Sequence, residues 1–134
     1  MEYNDLVSAA LNVRDRAYAP YSSFAVGAAV LTKGGGIFAG CNIENVSFGL
    51  TICAERSAIA TAVAEGHKDF VAIAVVTDLK EPVFPCGACR QVLAEFNPSM
   101  QIIAATVSGE RKQLALDQLL PRPLKNLSDK SADV

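Results

Sequence analysis

The chain has 134 residues, 51% of them hydrophobic and 19% charged, and its formal net charge at pH 7 is −2. This length predicts one domain with its own core, and an acidic balance without a basic run argues against binding along a nucleic-acid backbone. No apolar stretch approaches the roughly 20 residues that span a bilayer, and the acidic first residues are unlike a signal peptide, so we expect a soluble, cytoplasmic protein.

The first third of the chain predicts one helix and one hairpin. Apolar residues recur at helical spacing over residues 3–18, and Pro20 then stops the helix. A buried strand over residues 24–32 and a strand over residues 37–40 are joined by the glycine-rich segment KGGG, which is typical of a hairpin turn.

The rest of the chain alternates helices and strands after a loop that lacks periodicity. The predicted elements are a helix over 54–64, a β-branched strand over 70–77, a helix over 87–96, a strand over 101–107 and a short helical stretch over 114–121. We predict a single domain over residues 1–134, in which residues from about 122 onward form a loosely held tail.

Helices that lie between strands predict a three-layer α/β/α sandwich around a mixed sheet. A right-handed crossover through the strand over 70–77 places the two mid-chain helices on one face, with their amino ends pointing the same way. Cys53 lies at one of these amino ends, and Cys86 and Cys89 lie at the other.

The motif Pro-Cys-Gly-Ala-Cys has two readings of about equal weight when taken alone. A Cys-x-x-Cys pair at a helix start is typical of thiol–disulfide redox sites, and it is also half of a zinc site. Cys53 favours zinc, because three thiolates leave one position of a tetrahedral ion open. Of the two residues that might supply a fourth ligand, we expect Cys41 to be a small buried apolar residue and His67 to be a solvated loop residue.

Glu55 follows Cys53 by two residues. A carboxylate at a helix start interacts favourably with the helix dipole, but this alone does not explain the three thiols. A hydrolytic zinc needs a nearby group that moves protons. The order Cys-x-Glu followed by Pro-Cys-x-x-Cys is the known signature of zinc deaminases.

Three longer stretches, AYAPYSSFAVGAA, GCNIENVSFGLTICAERSA and PCGACRQVL, closely resemble the small bacterial cytidine deaminases. The resemblance covers nearly the whole chain. It implies a mixed five-stranded sheet, one zinc ion per chain and a homotetramer with active sites between subunits. It also implies zinc-dependent deamination of cytidine and deoxycytidine to uridine and deoxyuridine, with release of ammonia, in pyrimidine salvage. The apolar composition of so short a chain agrees with burial against partner subunits.

The family motif carries over residue by residue. It implies zinc ligands at Cys53, Cys86 and Cys89, a proton shuttle at Glu55, substrate contacts at Phe24, Asn42, Glu44 and Ala54, and an arginine bonded to zinc-bound sulfur at Arg56. Physics supports Arg56, because three thiolates leave the zinc site one net negative charge that an arginine offsets. The alternative for Arg56 is an exposed helical arginine. Phe48 and Leu124 depart from the family pattern, in which a tyrosine and an aromatic residue are common.

The sequence is also compatible with other functions. Glu44, without a basic cluster beside it, disfavours substrates that carry a 5′-phosphate. A blasticidin S deaminase shares the zinc motif, although the CNIEN loop more closely resembles the nucleoside enzymes. A structural zinc module would need four protein ligands, and a thiol–disulfide oxidoreductase would use Cys86 and Cys89 without a metal.

Overall fold

The computed structural model describes residues 2–125. In chain order its elements are α1 (Asn4–Arg14), β1 (Gly27–Thr32), β2 (Ile37–Cys41), a 3₁₀ turn (Phe48–Leu50), α2 (Ala54–Ala64), β3 (Phe70–Thr77), α3 (Gly87–Phe96), β4 (Gln101–Thr106), β5 (Arg111–Ala115) and α4 (Leu116–Leu119). Within this range, no helix combines the length and the apolar character needed to cross a membrane.

The strands form a five-stranded mixed sheet in the order β2-β1-β3-β4-β5. The central strand β3 pairs antiparallel with β1 and parallel with β4, so that Ala74 lies opposite both Ala29 and Ile103. Residues 72–77 of β3 are all buried. A β-branched run without alternation is what a strand covered on both faces requires.

Helices cover both faces of the sheet, which confirms the predicted three-layer sandwich. On one face, Leu6 and Ala10 of α1 pack with alanines of β1 and β3. On the other face, Ala58 of α2 and Leu93 of α3 share one cluster with Val75 of β3. The predicted arrangement of α2 and α3 side by side on one face is therefore confirmed.

Two glycines let helices lie directly on the sheet. A Cβ atom on Gly40 of β2 would lie 2.2 Å from the backbone nitrogen of Ala58 in α2, and a Cβ on Gly27 of β1 would lie 1.9 Å from the carbonyl oxygen of Ala10 in α1. No side chain fits at either place. Gly40 therefore sets the depth at which α2 rests on the sheet.

The predicted bounds of α2, β3 and α3 are confirmed, but three other predictions are wrong in part. The strand predicted over 24–32 begins only at Gly27. The first helix ends at Arg14 rather than Tyr18, because the Tyr18 N–H leaves the helix and donates to the carbonyl of Asn42 at 3.0 Å. The helical stretch predicted over 114–121 is shortened to α4 (Leu116–Leu119), because Arg111–Ala115 form the unpredicted edge strand β5. Its first three residues are exposed and polar, so its place depends on the free edge of β4.

The described end of the chain lies against α3. The side-chain amide of Gln91 donates to the carbonyl of Leu124 at 3.2 Å and accepts the Leu124 N–H at 3.0 Å. Residues 126–134, which make up most of the predicted tail, lie outside the described residues.

Candidate active site

The three predicted thiols meet at the amino ends of two neighbouring helices. Cys53 directly precedes α2, Cys86 directly precedes α3, and Cys89 lies in the first turn of α3. Their sulfur atoms all lie within 4.8 Å of one another. A tetrahedral zinc ion with Zn–S bonds of about 2.3 Å holds its sulfurs about 3.8 Å apart, so the cluster fits zinc and leaves one position free.

The two candidates for a fourth ligand do not belong to this cluster. Cys41 ends β2 and is half-buried rather than fully buried. His67 is exposed beyond α2, as expected, and its ring lies 4.8 Å from the ring of Phe38. Among residues 2–125, the donor set therefore consists of three thiols, which is the arrangement of an open site.

Without a metal, the thiols do not ionise equally. The hydrogen bond from Cys89, together with the charge and hydrogen bond of Arg56, lowers the pKa of Cys53 to about 5. The same hydrogen bond to Cys53, with burial, raises the pKa of Cys89. The two shifts have opposite directions because the Cys53 thiolate is stabilised by a hydrogen bond that the Cys89 thiol donates. A metal that binds all three sulfurs must release the protons that remain.

Arg56 lies beside the cluster. Its Nη2 atom donates to the Cys53 sulfur at 3.5 Å, and this hydrogen bond raises the pKa of the guanidinium. The Nε atom of Arg56 is buried and has no hydrogen-bond partner among the described residues. The side chain is thus oriented toward sulfur rather than toward solvent, unlike an ordinary exposed helical arginine.

Glu55 is the second residue of α2 and is only 6% exposed. Burial raises the pKa of its carboxyl group to about 6, and the neighbouring charge of Cys53 acts in the same direction. A carboxyl group with a pKa near neutrality both accepts and returns a proton readily at physiological pH.

A cavity of about 240 Å³ opens beside the thiols. It is lined by Phe24, Val26, Asn42, Thr51, Cys53, Ala54, Glu55, Val75, Thr77, Val83, Phe84 and Cys86. Six of the residues singled out from the sequence are in this lining, whereas Glu44, Arg56 and Cys89 are not. The sequence analysis missed Val83 and Phe84, although an apolar pair directly before Pro85-Cys86, in an otherwise polar loop, is a signal that could have indicated them.

Asn42 and Glu44 hold the segment that carries Phe24. The Asn42 side chain accepts the Val26 N–H at 2.9 Å and donates to the Phe24 carbonyl at 2.8 Å. The Glu44 carboxylate accepts the N–H groups of Tyr21 at 2.9 Å and Ser22 at 3.1 Å. The hydrogen bonds from Ser22 and the Tyr21 N–H lower the pKa of Glu44, so this carboxylate is ionised at neutral pH.

The sandwich, the three thiols at helix starts and the buried carboxylate beside a cavity define a class of α/β proteins with an open metal site. A family model for the "cytidine and deoxycytidylate deaminase zinc-binding region" matches residues 1–106. The chain belongs to this zinc-binding deaminase family, and the three-cysteine cluster is the group in the described structure that can hold the metal ion.

Individual relatives agree with this placement. The chain is 49% identical over 122 residues to a cytidine deaminase of Halalkalibacterium halodurans, which covers 90% of this chain and 92% of that protein. It superposes on the crystal structure of a cytidine deaminase from Burkholderia pseudomallei with a TM-score of 0.88 and 44% identity, over 92% of this chain and 100% of that one. It is also 33% identical over 104 residues to a blasticidin-S deaminase of Bacillus cereus, over 72% of this chain and 74% of that protein.

Proposed function

We propose that this protein is a cytidine deaminase that hydrolyses cytidine and deoxycytidine to uridine and deoxyuridine, with release of ammonia, in cytoplasmic pyrimidine salvage. One observation carries the proposal: Glu55, Cys53 and Cys86 line the same cavity as Phe24 and Asn42. The same cavity therefore contains a group that can carry protons, two metal ligands and two residues that can bind a nucleoside. The relatives that match over nine-tenths of the chain are named cytidine deaminases.

Cys53, Cys86 and Cys89 would hold one zinc ion per chain. When bound, the ion supplies a Lewis acid that lowers the pKa of a water molecule. Three thiolates leave the site one net negative charge, which weakens this effect. The amino ends of α2 and α3 and the Arg56 guanidinium oppose that charge, because each places positive potential next to the sulfurs.

Glu55 moves the protons of the reaction. It takes one proton from the attacking water and delivers it to N3 of the cytosine ring as the water oxygen bonds to C4. It then takes the second proton of that water and gives it to the amino group, which leaves C4 as ammonia. The pKa of about 6 suits a group that must hold a proton in one step and release it in the next.

The remaining cavity residues bind the substrate. Phe24 forms an aromatic wall for the base, and Ala54 leaves room beside the metal cluster. Asn42 uses one N–H and one lone pair within the chain, so a second N–H and a second lone pair stay available for a sugar hydroxyl. The ionised Glu44 sits nearby and disfavours a substrate with a 5′-phosphate.

We also propose a single domain over residues 1–134 that assembles as a homotetramer, with neighbouring chains completing each site. Large apolar side chains lie exposed in the loop that leads to α2, including Val46 (76%), Phe48 (73%) and Leu50 (66%). Exposed apolar side chains grouped on one loop indicate a surface that another protein covers. A second copy of this chain would also shield the cavity mouth from water.

Glu55→Gln tests the function directly. This variant keeps the shape of the side chain and removes the proton carrier, so we expect zinc to be retained and turnover of cytidine to fall by about 10²–10⁴-fold. The measurement is ultraviolet-monitored turnover together with metal analysis, and Glu95→Gln on the exposed side of α3 is the matched control.

Parallel assays separate this function from its alternatives. We expect turnover of cytidine, and much less of cytidine monophosphate and of blasticidin S. Preference for blasticidin S would instead identify the chain as a blasticidin-S deaminase. Full activity of Glu55→Gln would refute its role as proton carrier, and metal-free active protein would refute the zinc mechanism.

A further inference from the structure

The segment between Tyr21 and Val26 contains a serine in an unfavourable backbone conformation. Ser23 has φ +57° and is one of two non-glycine residues with positive φ among residues 2–125. L-residues rarely adopt this left-handed conformation, and it persists only where the surrounding structure imposes it. Phe24, the predicted aromatic wall, directly follows Ser23, so the direction in which Phe24 enters the cavity depends on this turn.

The hydroxyl group of Ser22 connects the two ends of this turn. Its oxygen accepts the N–H of Phe24 at 3.0 Å, and its proton is donated to the Glu44 carboxylate in a short hydrogen bond. A hydroxyl has one proton and two lone pairs, so both bonds form at once. Glu44 thereby reaches the backbone of Phe24 through Ser22, while Asn42 holds the Phe24 carbonyl from the other side.

Ser22 itself is exposed and does not line the cavity. Its hydrogen bonds reach neither the thiols nor Glu55, so its position does not support a role in the proton transfers or in metal binding. The hydrogen bonds of its N–H and hydroxyl groups join it to Glu44 and to the backbone N–H of Phe24. An effect of Ser22 should therefore appear in nucleoside binding rather than in the chemical step.

We propose that Ser22 is a positioning residue for nucleoside binding: its hydroxyl holds the left-handed turn at Ser23 and thereby fixes Phe24 at the wall of the cavity and Glu44 beside it. This inference rests on the proposed deaminase function. It means that Ser22, a residue outside the cavity, contributes to the affinity for the nucleoside.

The first test is Ser22→Ala in the full-length, zinc-loaded protein. The variant removes a hydrogen bond to a charged group, for which a loss of about tenfold is typical. We expect KM for cytidine to rise about tenfold, kcat to stay within about threefold of the parent, and zinc content to be unchanged. Ser22→Thr keeps the hydroxyl and should restore KM, whereas Ser8→Ala on the exposed face of α1 is a neutral control.

A double-mutant cycle shows whether Ser22 acts through Phe24. In a Phe24→Ala background, where no ring remains to be positioned, Ser22→Ala should change kcat/KM by less than about twofold. Retention of the full tenfold loss in that background would overturn the proposal. If Ser22→Ala does not fold, Ser22→Cys carries the same test, because a thiol is a weak donor and acceptor.

Calorimetric titration with uridine separates failure of this inference from failure of the proposed function. A parent protein that neither turns over cytidine nor binds uridine contradicts the proposed function, and Ser22 then has no substrate to position. A parent that does both, alongside a Ser22→Ala variant with the same KM and the same Kd for uridine, overturns the role of Ser22 alone. Weaker uridine binding in Ser22→Ala with restored binding in Ser22→Thr supports it.

Discussion

Arg56 places a positive charge against the Cys53 sulfur, and its influence extends to the neighbouring carboxylate of Glu55. Its charge lowers the pKa of Glu55, while burial and Cys53 raise it to about 6. Burial of the Glu55 carboxyl group favours its neutral form. Because Glu55 accepts a proton only when it is ionised, we expect activity to fall at acid pH, at a higher pH than for an exposed glutamate.

We predict that Arg56→Gln lowers turnover, keeps zinc and moves the acidic limb of the kcat/KM profile to higher pH. Loss of the positive charge raises the pKa of Glu55 and leaves the sulfurs richer in electrons, so that the ion acidifies its water less. Both effects move the acidic limb to higher pH, because Glu55 then ionises at higher pH and the water also loses its proton at higher pH. A pH–rate profile with metal analysis measures this. An unchanged profile would show that the charge of Arg56 has no effect on the reaction.

Cys53→Ala should lose tight zinc binding. Only Cys86 and Cys89 would remain, and a site with two ligands does not compete with chelators as a site with three does. Metal analysis after dialysis checks this. Cys41→Ala is the matched control, because Cys41 is a cysteine outside the cluster. Equal zinc in the Cys53 and Cys41 variants would contradict the ligand assignment.

At the scale of elements, the contact between β2 and α2 leaves no room for a side chain at Gly40. Gly40→Ala should destabilise the protein by about 1–3 kcal/mol, because the added methyl group must displace the backbone of α2 at Ala58. Displacement of α2 also moves Cys53, so zinc should dissociate faster. Denaturant unfolding and zinc release measure the two effects. Gly34→Ala, where nothing lies within 4 Å, should have little effect, and equal stability of both variants would contradict the close packing.

The elements that could be predicted from the sequence are those whose own residues specify them. β3 is an unbroken β-branched run, and α2 and α3 have clear starts at their cysteines and clear ends at Gly66 and Asn97. β5 could not be predicted, because polar residues such as Arg111 gain their strand conformation from the edge of β4. The thiols and Glu55 were predictable because the motif is local. For Val83 and Phe84 the only local signal is an apolar pair before Pro85-Cys86, and their place in the cavity lining depends on tertiary packing of the loop.

The hydrogen bonds of Asn42 and Glu44 are a second feature that could not be predicted from the sequence. The resemblance implied these residues as substrate contacts, and their sequence positions gave no sign that both also bind the segment before β1. Such a contact joins residues some twenty positions apart, and it depends on the left-handed turn at Ser23. No local pattern predicts a left-handed serine, since the chain adopts it only when the rest of the fold compensates.

At the scale of the whole molecule, we predict a homotetramer in dilute, active solution. The exposed side chains of Val46, Phe48 and Leu50 lie together on one loop, and burial of such a group in a symmetric interface stabilises the assembly by the hydrophobic effect. Sedimentation velocity at assay concentration measures this. Val46→Asp should shift the population toward smaller species and lower activity, whereas Val107→Asp, on the exposed turn after β4, should not. A fully active monomer would contradict the assembly.

The strand order also has a consequence for how the chain acquires its metal during folding. Cys86 and Cys89 are close in sequence and come together as soon as α3 forms. Cys53 precedes a different helix, and its place beside them depends on the packing of α2 and α3 against β3, which lies between β1 and β4. Because non-local contacts of this kind slow folding, we expect Cys53 to join the other two thiols last. If the third ligand joins last, tight zinc binding occurs late in folding. We therefore expect zinc to increase the stability of the folded protein more than it increases the folding rate.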